Sequence, residues 1–449
     1  MSEPSENGRV RFQWSQADAQ KPERAIVLVP DIRTGPNPSE ASRSAQSRLE
    51  EARGLAEAIR LEIAESGIIA LKSVKPATLM GSGKVEEIAG IIKAEEIGLA
   101  IVDHSLSPVQ QRNLEKAWHC KVLDRTGLIL EIFGDRARTK EGRLQVDLAH
   151  LNYQKGRLVR QWTHLERQRG GAGFMGGPGE TQIEADRREI QAKILKLENE
   201  LEKVRRTRQL HRAGRKRRPH PVVALVGYTN AGKSTLFNRL TGAKVLAKDM
   251  LFATLDPTLR QLTLPQGTEV ILSDTVGFIS DLPTHLVAAF RATLEEVVEA
   301  NVILHVRDIA DPENAAQAGD VYKILSDLGI GDDGREGVIE VLNKIDLLPQ
   351  EALASIRDTK SADGAILVSA VTGEGTETLL ERIETAIGAD ARMVSLHLEP
   401  AELSTLPEIY RDASVMTRHD NEDGSVDLTV RLNANVGEAR YRAYLAEAS

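Results

Sequence analysis

The sequence predicts an α/β protein with a doubly wound, mostly parallel sheet, a helical hairpin and a small C-terminal domain, and three observations predict these parts in turn. Short apolar runs alternate with amphipathic segments of helix length over residues 23–133 and again over 219–389. Residues 134–218 show the 4-3 spacing of apolar residues that is typical of paired helices. Residues 390–449 contain strand patterns joined by a turn, which indicates a small α+β domain. Residues 1–22 are polar and predict a flexible tail.

Composition excludes several classes of protein. With 449 residues, 41% hydrophobic and 28% charged, the chain is neither collagen-like, nor disulfide-rich, nor disordered throughout. No apolar run approaches the roughly 18 residues of a membrane-spanning helix, and residues 1–4 do not begin a signal peptide. The single cysteine, Cys120, can form no internal disulfide. We therefore expect a cytoplasmic monomer, with at most peripheral membrane association.

The net charge of −8, taken over the whole chain, argues against a nucleic-acid partner. The net charges of separate segments lead to a different conclusion. Residues 1–133 carry 17 basic and 19 acidic side chains, a net charge of −2. Residues 134–220 carry 22 basic and 11 acidic, which is +11, and residues 221–449 carry 19 and 36, which is −17. A basic block between two acidic ones indicates a polyanionic partner.

Within the first domain, apolar runs at 25–29, 67–71 and 99–102 predict buried strands. Helical spacing begins at Leu49 and again covers 85–93. Strands that alternate with helices predict a small parallel sheet.

The basic block predicts an antiparallel helical hairpin. Apolar residues keep one heptad seam from Leu144 to Leu165 and from Ile183 to Val204. Residues 181–184 read T-Q-I-E, a capping box that predicts the start of the second helix at Thr181. The break at 168–180 contains six glycines and predicts a flexible tip loop. Residues 212–219 predict a basic linker.

A buried strand at 222–226 runs directly into G-Y-T-N-A-G-K-S, and a helix pattern follows. In that context the motif predicts a phosphate-binding loop, because its backbone N–H groups and lysine surround phosphate oxygens and its serine can ligate Mg²⁺. The residues expected to contact the nucleotide are Gly227, Tyr228, Thr229, Asn230, Ala231, Gly232, Lys233 and Ser234.

The nucleotide base is indicated by Asn343, Lys344, Ile345 and Asp346, an N-K-x-D pattern at a strand end about 110 residues after the phosphate loop. A buried carboxylate here can accept hydrogen bonds from N1–H and N2–H₂ of guanine, whereas adenine offers no such donor pair. The sequence therefore favours GTP over ATP. Backbone groups at the next strand end complete the base pocket, at Ser369, Ala370 and Val371.

Two further segments predict loops that sense the γ-phosphate. An apolar strand ends in Asp274, Thr275, Val276 and Gly277, where Asp274 can hold Mg²⁺ through water and the Gly277 N–H can meet a γ-phosphate. A threonine of the preceding loop must close over Mg²⁺, with Thr254 the first choice and Thr258 the second. The expected contacts of that loop are Phe252, Ala253, Thr254, Leu255 and Asp256.

The residue after Gly277 is Phe278, where many GTPases place a glutamine that orients the attacking water. A phenyl ring cannot orient water, so we expect slow hydrolysis that depends on another group or a partner. No general base is assigned. The catalytic contributions expected are phosphate neutralisation by Lys233, metal binding by Ser234 and Thr254, and γ-phosphate contact by Gly277.

These motifs resemble those of the HflX family of translation-factor-class GTPases. The resemblance covers about residues 24–445 and is most specific at 81–88 (G-S-G-K-V-E-E-I), 176–181 (G-G-P-G-E-T) and 274–278 (D-T-V-G-F). It implies GTP or GDP with Mg²⁺ at Ser234 and Thr254. It also implies a partner, the large ribosomal subunit with its RNA rather than DNA, and the splitting of stalled ribosomes under stress. The hairpin loop would then approach the peptidyl-transferase region.

Flanking the tip loop are arginines that we expect to contact RNA, at positions Arg157, Arg160, Arg167, Arg169, Arg187 and Arg188. An alternative function is an NTP-dependent RNA remodelling factor with a second nucleotide site at Gly81–Lys84, although a simple strand-to-helix turn explains that segment more economically. A third hypothesis is a regulator of a membrane protease.

Overall fold

The computed structural model describes the following residues: 23–32, 43–168, 178–215, 220–243, 251–252, 258–280, 294, 296–330, 337–360, 364–389, 393–421, 423–432 and 444. Within these ranges, no helix combines the length and the apolarity that crossing a bilayer requires.

The N-terminal domain is a four-stranded parallel sheet in the order β2-β1-β3-β4. The predicted strand at 67–71 begins earlier, at Glu62, because its more polar first half also pairs with β1, with one shift of register between Ala25 and Ile26. Polar residues are tolerated there because β2 is an edge strand. The elements are β1 Arg24–Ile32, α1 Ala45–Ala58, β2 Glu62–Leu71, α2 Ser82–Ala94, β3 Leu99–Val102, α3 Pro108–Trp118, β4 Lys121–Asp124 and α4 Arg125–Arg136.

Two long helices follow, α5 Lys140–Gln168 and α6 Pro178–Arg215, which pack against each other. Among the seam side chains that the structure describes, Leu144, Leu151, Ile194 and Leu201 are buried and the others are partly buried, as the heptad spacing predicts. The capping box at Thr181 was the wrong starting point: α6 begins at Pro178, since proline is favoured in the first helical turn. The predicted linker at 212–219 is helical as far as Arg215, and most of the tip loop lies outside the described residues.

The third domain is a six-stranded sheet in the order β10-β9-β8-β5-β7-β6, parallel except for β6, which is antiparallel to β7. After β5, the chain forms β6 and β7 on one side of that strand and then β8, β9 and β10 on the other side. The end of β5 therefore lies at a topological switch point, where open α/β sheets bind ligands. Its elements are β5 Val222–Val226, α7 Lys233–Thr241, β6 Thr258–Thr263, β7 Glu269–Asp274, β8 Val302–Asp308, α8 Asn314–Asp327, β9 Val338–Asn343, α9 Gln350–Lys360, β10 Ile366–Leu367 and α10 Thr376–Ala389.

The C-terminal domain is a three-stranded antiparallel sheet in the order β11-β13-β12, with one helix on its buried face. The predicted turn near residue 424 joins β12 to β13. The elements are β11 Met393–Leu398, α11 Leu406–Asp412, β12 Ala413–Asp420 and β13 Val426–Leu432. The predicted α/β fold class is confirmed for the chain as a whole.

One apolar core joins the N-terminal domain to the six-stranded sheet. Phe133 of α4 meets Phe252 edge to face, with ring centroids 4.8 Å apart. Leu251 packs so closely on α1 that a Cβ on Gly54 would lie 3.1 Å from its Cδ1. The N-terminal domain is therefore packed against the segment that leads into the predicted Thr254 loop.

Candidate functional site

The phosphate loop depends on two glycines. Gly227 has φ of +148° and Gly232 has φ of +90°, values that side chains disfavour. A Cβ on Gly227 would lie 2.2 Å from the Val306 carbonyl oxygen, and one on Gly232 would lie 2.2 Å from Nδ2 of Asn343. Backbone therefore approaches its neighbours too closely for any other residue, and helix α7 starts directly afterwards at Lys233.

Lys233 is buried inside this loop. Its Nζ donates hydrogen bonds to the carbonyl oxygens of Gly227 at 3.0 Å and Tyr228 at 2.7 Å. Burial lowers the pKa of Lys233 to about 8, against an opposing effect of Asp274. The ammonium is thus largely protonated at neutral pH but poorly solvated, which favours an anionic ligand.

Ser234 and Asp274 provide oxygen atoms of the kind that Mg²⁺ prefers. The Ser234 hydroxyl donates to Oδ2 of Asp274 at 2.7 Å, joining the start of α7 to the end of β7. Paired hydroxyl and carboxylate oxygens beside a phosphate loop suit a hard divalent cation that also holds phosphate oxygens. These two residues fit a Mg²⁺ site. The sequence-predicted partner Thr254 lies outside the described residues, as do Ala253, Leu255 and Asp256.

The segment after Asp274 lies directly against the phosphate loop. The Thr275 hydroxyl donates to the Leu225 carbonyl at 2.5 Å, and Val276 is buried beside it. A Cβ on Gly277 would lie 2.9 Å from Cγ2 of Thr229 and 3.1 Å from Nζ of Lys233. Only glycine brings the backbone this close to the lysine.

Phe278 is 1% exposed and belongs to the core shared with the N-terminal domain. Its backbone N–H donates to the Gly227 carbonyl at 3.1 Å, and its carbonyl accepts from the Thr229 N–H at 2.7 Å. The ring is therefore a packing residue, while its peptide groups tie the segment to the phosphate loop. This agrees with the expectation that the side chain orients no water.

The base-recognition motif follows β9. Asn343 Nδ2 donates to the Ala231 carbonyl at 2.9 Å, and its Oδ1 accepts from the Ala370 N–H at 3.0 Å. Asn343 thus ties the phosphate loop to the last base-pocket segment. Lys344 has a φ of +67° and pairs with Asp308 at 2.7 Å.

Asp346 differs from the sequence-based expectation of a buried carboxylate. It lies in a short 3₁₀ turn, Ile345–Leu347, at the surface and is exposed. Its carboxylate loses water only against a bound base, so selection for guanine arises in the complex. Ser369 is buried, Ala370 donates to Asn343, and Val371 is exposed at the edge of the pocket.

The second proposed nucleotide segment, at 81–84, lacks these features. A Cβ on Gly81 or Gly83 would meet nothing within 4 Å. Lys84 is paired with Glu87 at 2.7 Å on the surface. The geometry favours a strand-to-helix turn there.

Sequence reasoning missed a network of four charged residues in the N-terminal domain, two of which, Arg43 and Glu51, hydrogen-bond to the Tyr228 hydroxyl. They are Arg43, Glu51, Asp103 and Arg125. A usable signal was present, since Asp103 and Arg125 directly follow β3 and β4, at the strand ends where α/β sheets place functional residues.

Four family models match successive parts of the chain. They are described as GTP-binding GTPase N-terminal (residues 46–134), GTP-binding GTPase Middle Region (136–215), 50S ribosome-binding GTPase (222–344) and HflX C-terminal domain (354–443).

Curated relatives match over most of their length. "GTPase HflX" of Magnetococcus marinus is 49% identical, over 90% of this chain and 91% of that protein. "GTPase HflX" of Escherichia coli K12 is 45% identical, over 80% of this chain and 84% of that protein. "Putative GTP-binding protein 6" of Xenopus laevis is 35% identical, over 93% and 79% respectively.

Proposed function

This chain belongs to the GTPase HflX family, and on that basis we propose that it binds the large ribosomal subunit and splits stalled ribosomes in a GTP-dependent manner. The observation that carries the proposal is the basic hairpin attached to a domain that brings the phosphate loop and the guanine-recognition motif together. Its +11 charge lies between segments of −2 and −17, as a surface for ribosomal RNA requires. The family model named for 50S binding supports the same partner.

The hairpin arginines do not all face a partner. Arg157 pairs with Asp124 at 2.7 Å and lies 4.2 Å over the Tyr153 ring, so its charge is used within the protein. We therefore propose that Arg157 stabilises the hairpin from within rather than contacting RNA. Arg187 and Arg188 are exposed on α6, and Arg188 pairs with Glu184 at 3.6 Å. The structure describes only the helical backbone at Arg160 and Arg167, and Arg169 lies outside the described residues.

Within the nucleotide site, each residue has a distinct role in hydrolysis. Lys233 neutralises β- and γ-phosphate oxygens as charge moves toward the leaving group, and the Gly277 N–H binds the γ-phosphate. Ser234 and Thr254 would hold Mg²⁺, which would offset the negative charge of the phosphates. Many GTPases carry a water-orienting glutamine at the position of Phe278, and no described side chain takes over that role here. We therefore infer that the ribosome supplies the group that orients the attacking water.

A GTPase assay with and without large subunits tests this function. We expect slow hydrolysis by the protein alone and a rise of at least about tenfold with subunits, because a partner must orient the water. Lys233→Ala should abolish both rates. Equal rates with and without subunits would contradict the proposal.

Two controls separate the alternatives. Asp346→Asn should remove the GTP-dependent activity, whereas a remodelling factor with a second site at 81–84 would retain activity with ATP.

Shortening the glycine-rich tip, residues 170–179, should leave GTP binding intact and reduce ribosome splitting. Unchanged splitting would make that loop a passive connector.

A further inference from the structure

Four buried charges join the N-terminal domain to the nucleotide site. Arg125 Nη1 donates to Asp103 Oδ1 at 2.5 Å, and both Arg125 and Arg43 pair with Glu51. These side chains are only 3–9% exposed. Two positive and two negative charges balance, so each buried ion has a partner. We call these residues the charge cluster.

Tyr228 connects the charge cluster to the phosphate loop. Its hydroxyl donates to Oε2 of Glu51 at 2.6 Å and accepts from Nη1 of Arg43 at 2.7 Å. It also accepts from the backbone N–H of Ser280 at 2.8 Å. Burial and the neighbouring Glu51 carboxylate raise the pKa of Tyr228 far above its ordinary value. The phenol therefore keeps its proton, and its one donor and two acceptor positions are all used.

Arg125 reaches the same segment from the other side. Its Nη2 donates to the Ser280 carbonyl at 3.1 Å and to the Ser280 hydroxyl at 3.0 Å. Ser280 is three residues after Gly277. The segment from Asp274 to Ser280 is therefore tied to the phosphate loop by the Phe278 peptide groups and to the N-terminal domain by Ser280.

We propose that Arg125 and Tyr228 are positioning residues that hold Gly277 where its N–H meets the γ-phosphate, so that the N-terminal domain sets the preference of the site for GTP over GDP. Only GTP offers the γ-phosphate. A ligand shifts an equilibrium only by its different affinity for the two arrangements. Loosening the segment should thus weaken GTP binding and leave GDP binding, which depends on the phosphate loop and base motif, nearly unchanged.

Tyr228→Phe in the full chain is the first test. It removes one hydroxyl while keeping the ring and the charge balance of the cluster. Dissociation constants are measured for GDP and for a non-hydrolysable GTP analogue. We expect the analogue to bind about tenfold more weakly and GDP to change by less than about twofold, because the lost hydrogen bonds link the Tyr228 side chain to Ser280 and to the charge cluster, while the phosphate-loop backbone and the base motif that bind both nucleotides are unchanged.

Arg48→Ala is the matched control. Arg48 donates to the carbonyl oxygens of Pro30 and Asp103 and lies 3.6 Å from Asp103 Oδ2, all within the N-terminal domain. It therefore shares Asp103 with Arg125 without touching Tyr228 or Ser280 in the described contacts. The ratio of the two dissociation constants should stay at the wild-type value.

Arg125→Lys provides a second variant if Tyr228→Phe proves poorly folded. Lysine keeps the charge that Glu51 and Asp103 require but lacks the planar fork that reaches Ser280. Its GTP preference should fall as in Tyr228→Phe, with GDP affinity retained as the sign of a folded site. An unchanged ratio, an equal loss for both nucleotides, or a rise in GTP preference would overturn the proposal.

Discussion

At the scale of single residues, the phosphate loop offers a test that separates backbone strain from steric clash. Gly232 and Gly242 both adopt positive φ, at +90° and +65°, at the two ends of α7. A Cβ would clash with Asn343 only at Gly232, and at Gly242 it would meet nothing within 4 Å.

Gly232→Ala should lower GTP and GDP affinity by at least about a hundredfold, since the loop must move away from Asn343 to relieve the contact. Gly242→Ala should cost about 1 kcal/mol of unfolding free energy and leave both affinities unchanged. Calorimetric titration and urea unfolding measure these quantities. Similar affinity losses in the two variants would contradict the steric explanation.

The lowered pKa of Lys233 predicts a pH dependence of nucleotide binding. The charged lysine binds phosphate, and its pKa of about 8 means that the proton is lost as pH rises through 8. GTP affinity should therefore be flat from about pH 6.5 to 7.5 and fall by up to about tenfold per pH unit above 8.

Lys233→Arg is the control for that titration, because a guanidinium stays charged throughout. Whatever affinity this variant retains should not decline over the same range. A decline of equal size would assign the pH dependence to another group.

At the scale of elements, the base of the hairpin depends on a local ion pair. Asp124 caps α4 and accepts from Tyr153 at 2.6 Å and from Arg157 at 2.7 Å. Arg157→Ala should lower the unfolding free energy by about 2 kcal/mol, because a buried carboxylate loses its charged partner. Ribosome affinity at a fixed folded fraction should not change. A loss of affinity with unchanged stability would restore Arg157 as a partner contact.

Farther along α6, exposed arginines are available to a polyanion. Reversing the charge at Arg187 and Arg188 to glutamate should weaken ribosome binding by about tenfold or more near 0.1 M salt, through lost phosphate neutralisation. The matched control reverses Arg112 and Lys116, exposed on α3, with the same change in net charge. Filter binding or sedimentation measures both, and equal losses would indicate a general charge effect.

The helices and strands that are determined by their own and neighbouring residues were predictable from the sequence. The strand before Gly227, the helix after it and the strand ending at Asn343 follow from apolar runs and from glycine chemistry within a few residues. The start of β2 was missed because polar residues on an edge strand hide the pattern. The exposure of Asp346 was missed because a motif specifies which residue binds, while solvent access depends on the surrounding surface.

At the scale of the whole molecule, contacts between distant residues account for what sequence reasoning could not find. Glu51 and Tyr228 are 177 positions apart, and no local pattern relates them. The packing role of Phe278 also depends on distant residues. Many GTPases place a water-orienting glutamine at this position, whereas here the Phe278 ring lies in the core that joins two domains. Motifs identify the ligand, whereas tertiary packing decides which domain supports the binding loop.

The division of charge along the chain predicts two different responses to salt. Ribosome affinity should fall steeply, by about tenfold or more between 50 and 200 mM, because binding releases counterions from RNA. GTP affinity should change far less, because Lys233 is shielded from solvent ions. Parallel titrations of both ligands measure the slopes. Equal slopes would argue against the hairpin as the RNA-binding surface.

Helix α6 is long enough for a small change in its angle to move its far end by several ångströms. Its 38 residues make a rod of about 57 Å, which begins at the tip loop and ends at Arg215, seven positions before β5. A tilt of about 10° at the Arg215 end displaces the Pro178 end by about 10 Å. The length of α6 would therefore convert a small change of angle at its Arg215 end into a large displacement at the tip end of the hairpin.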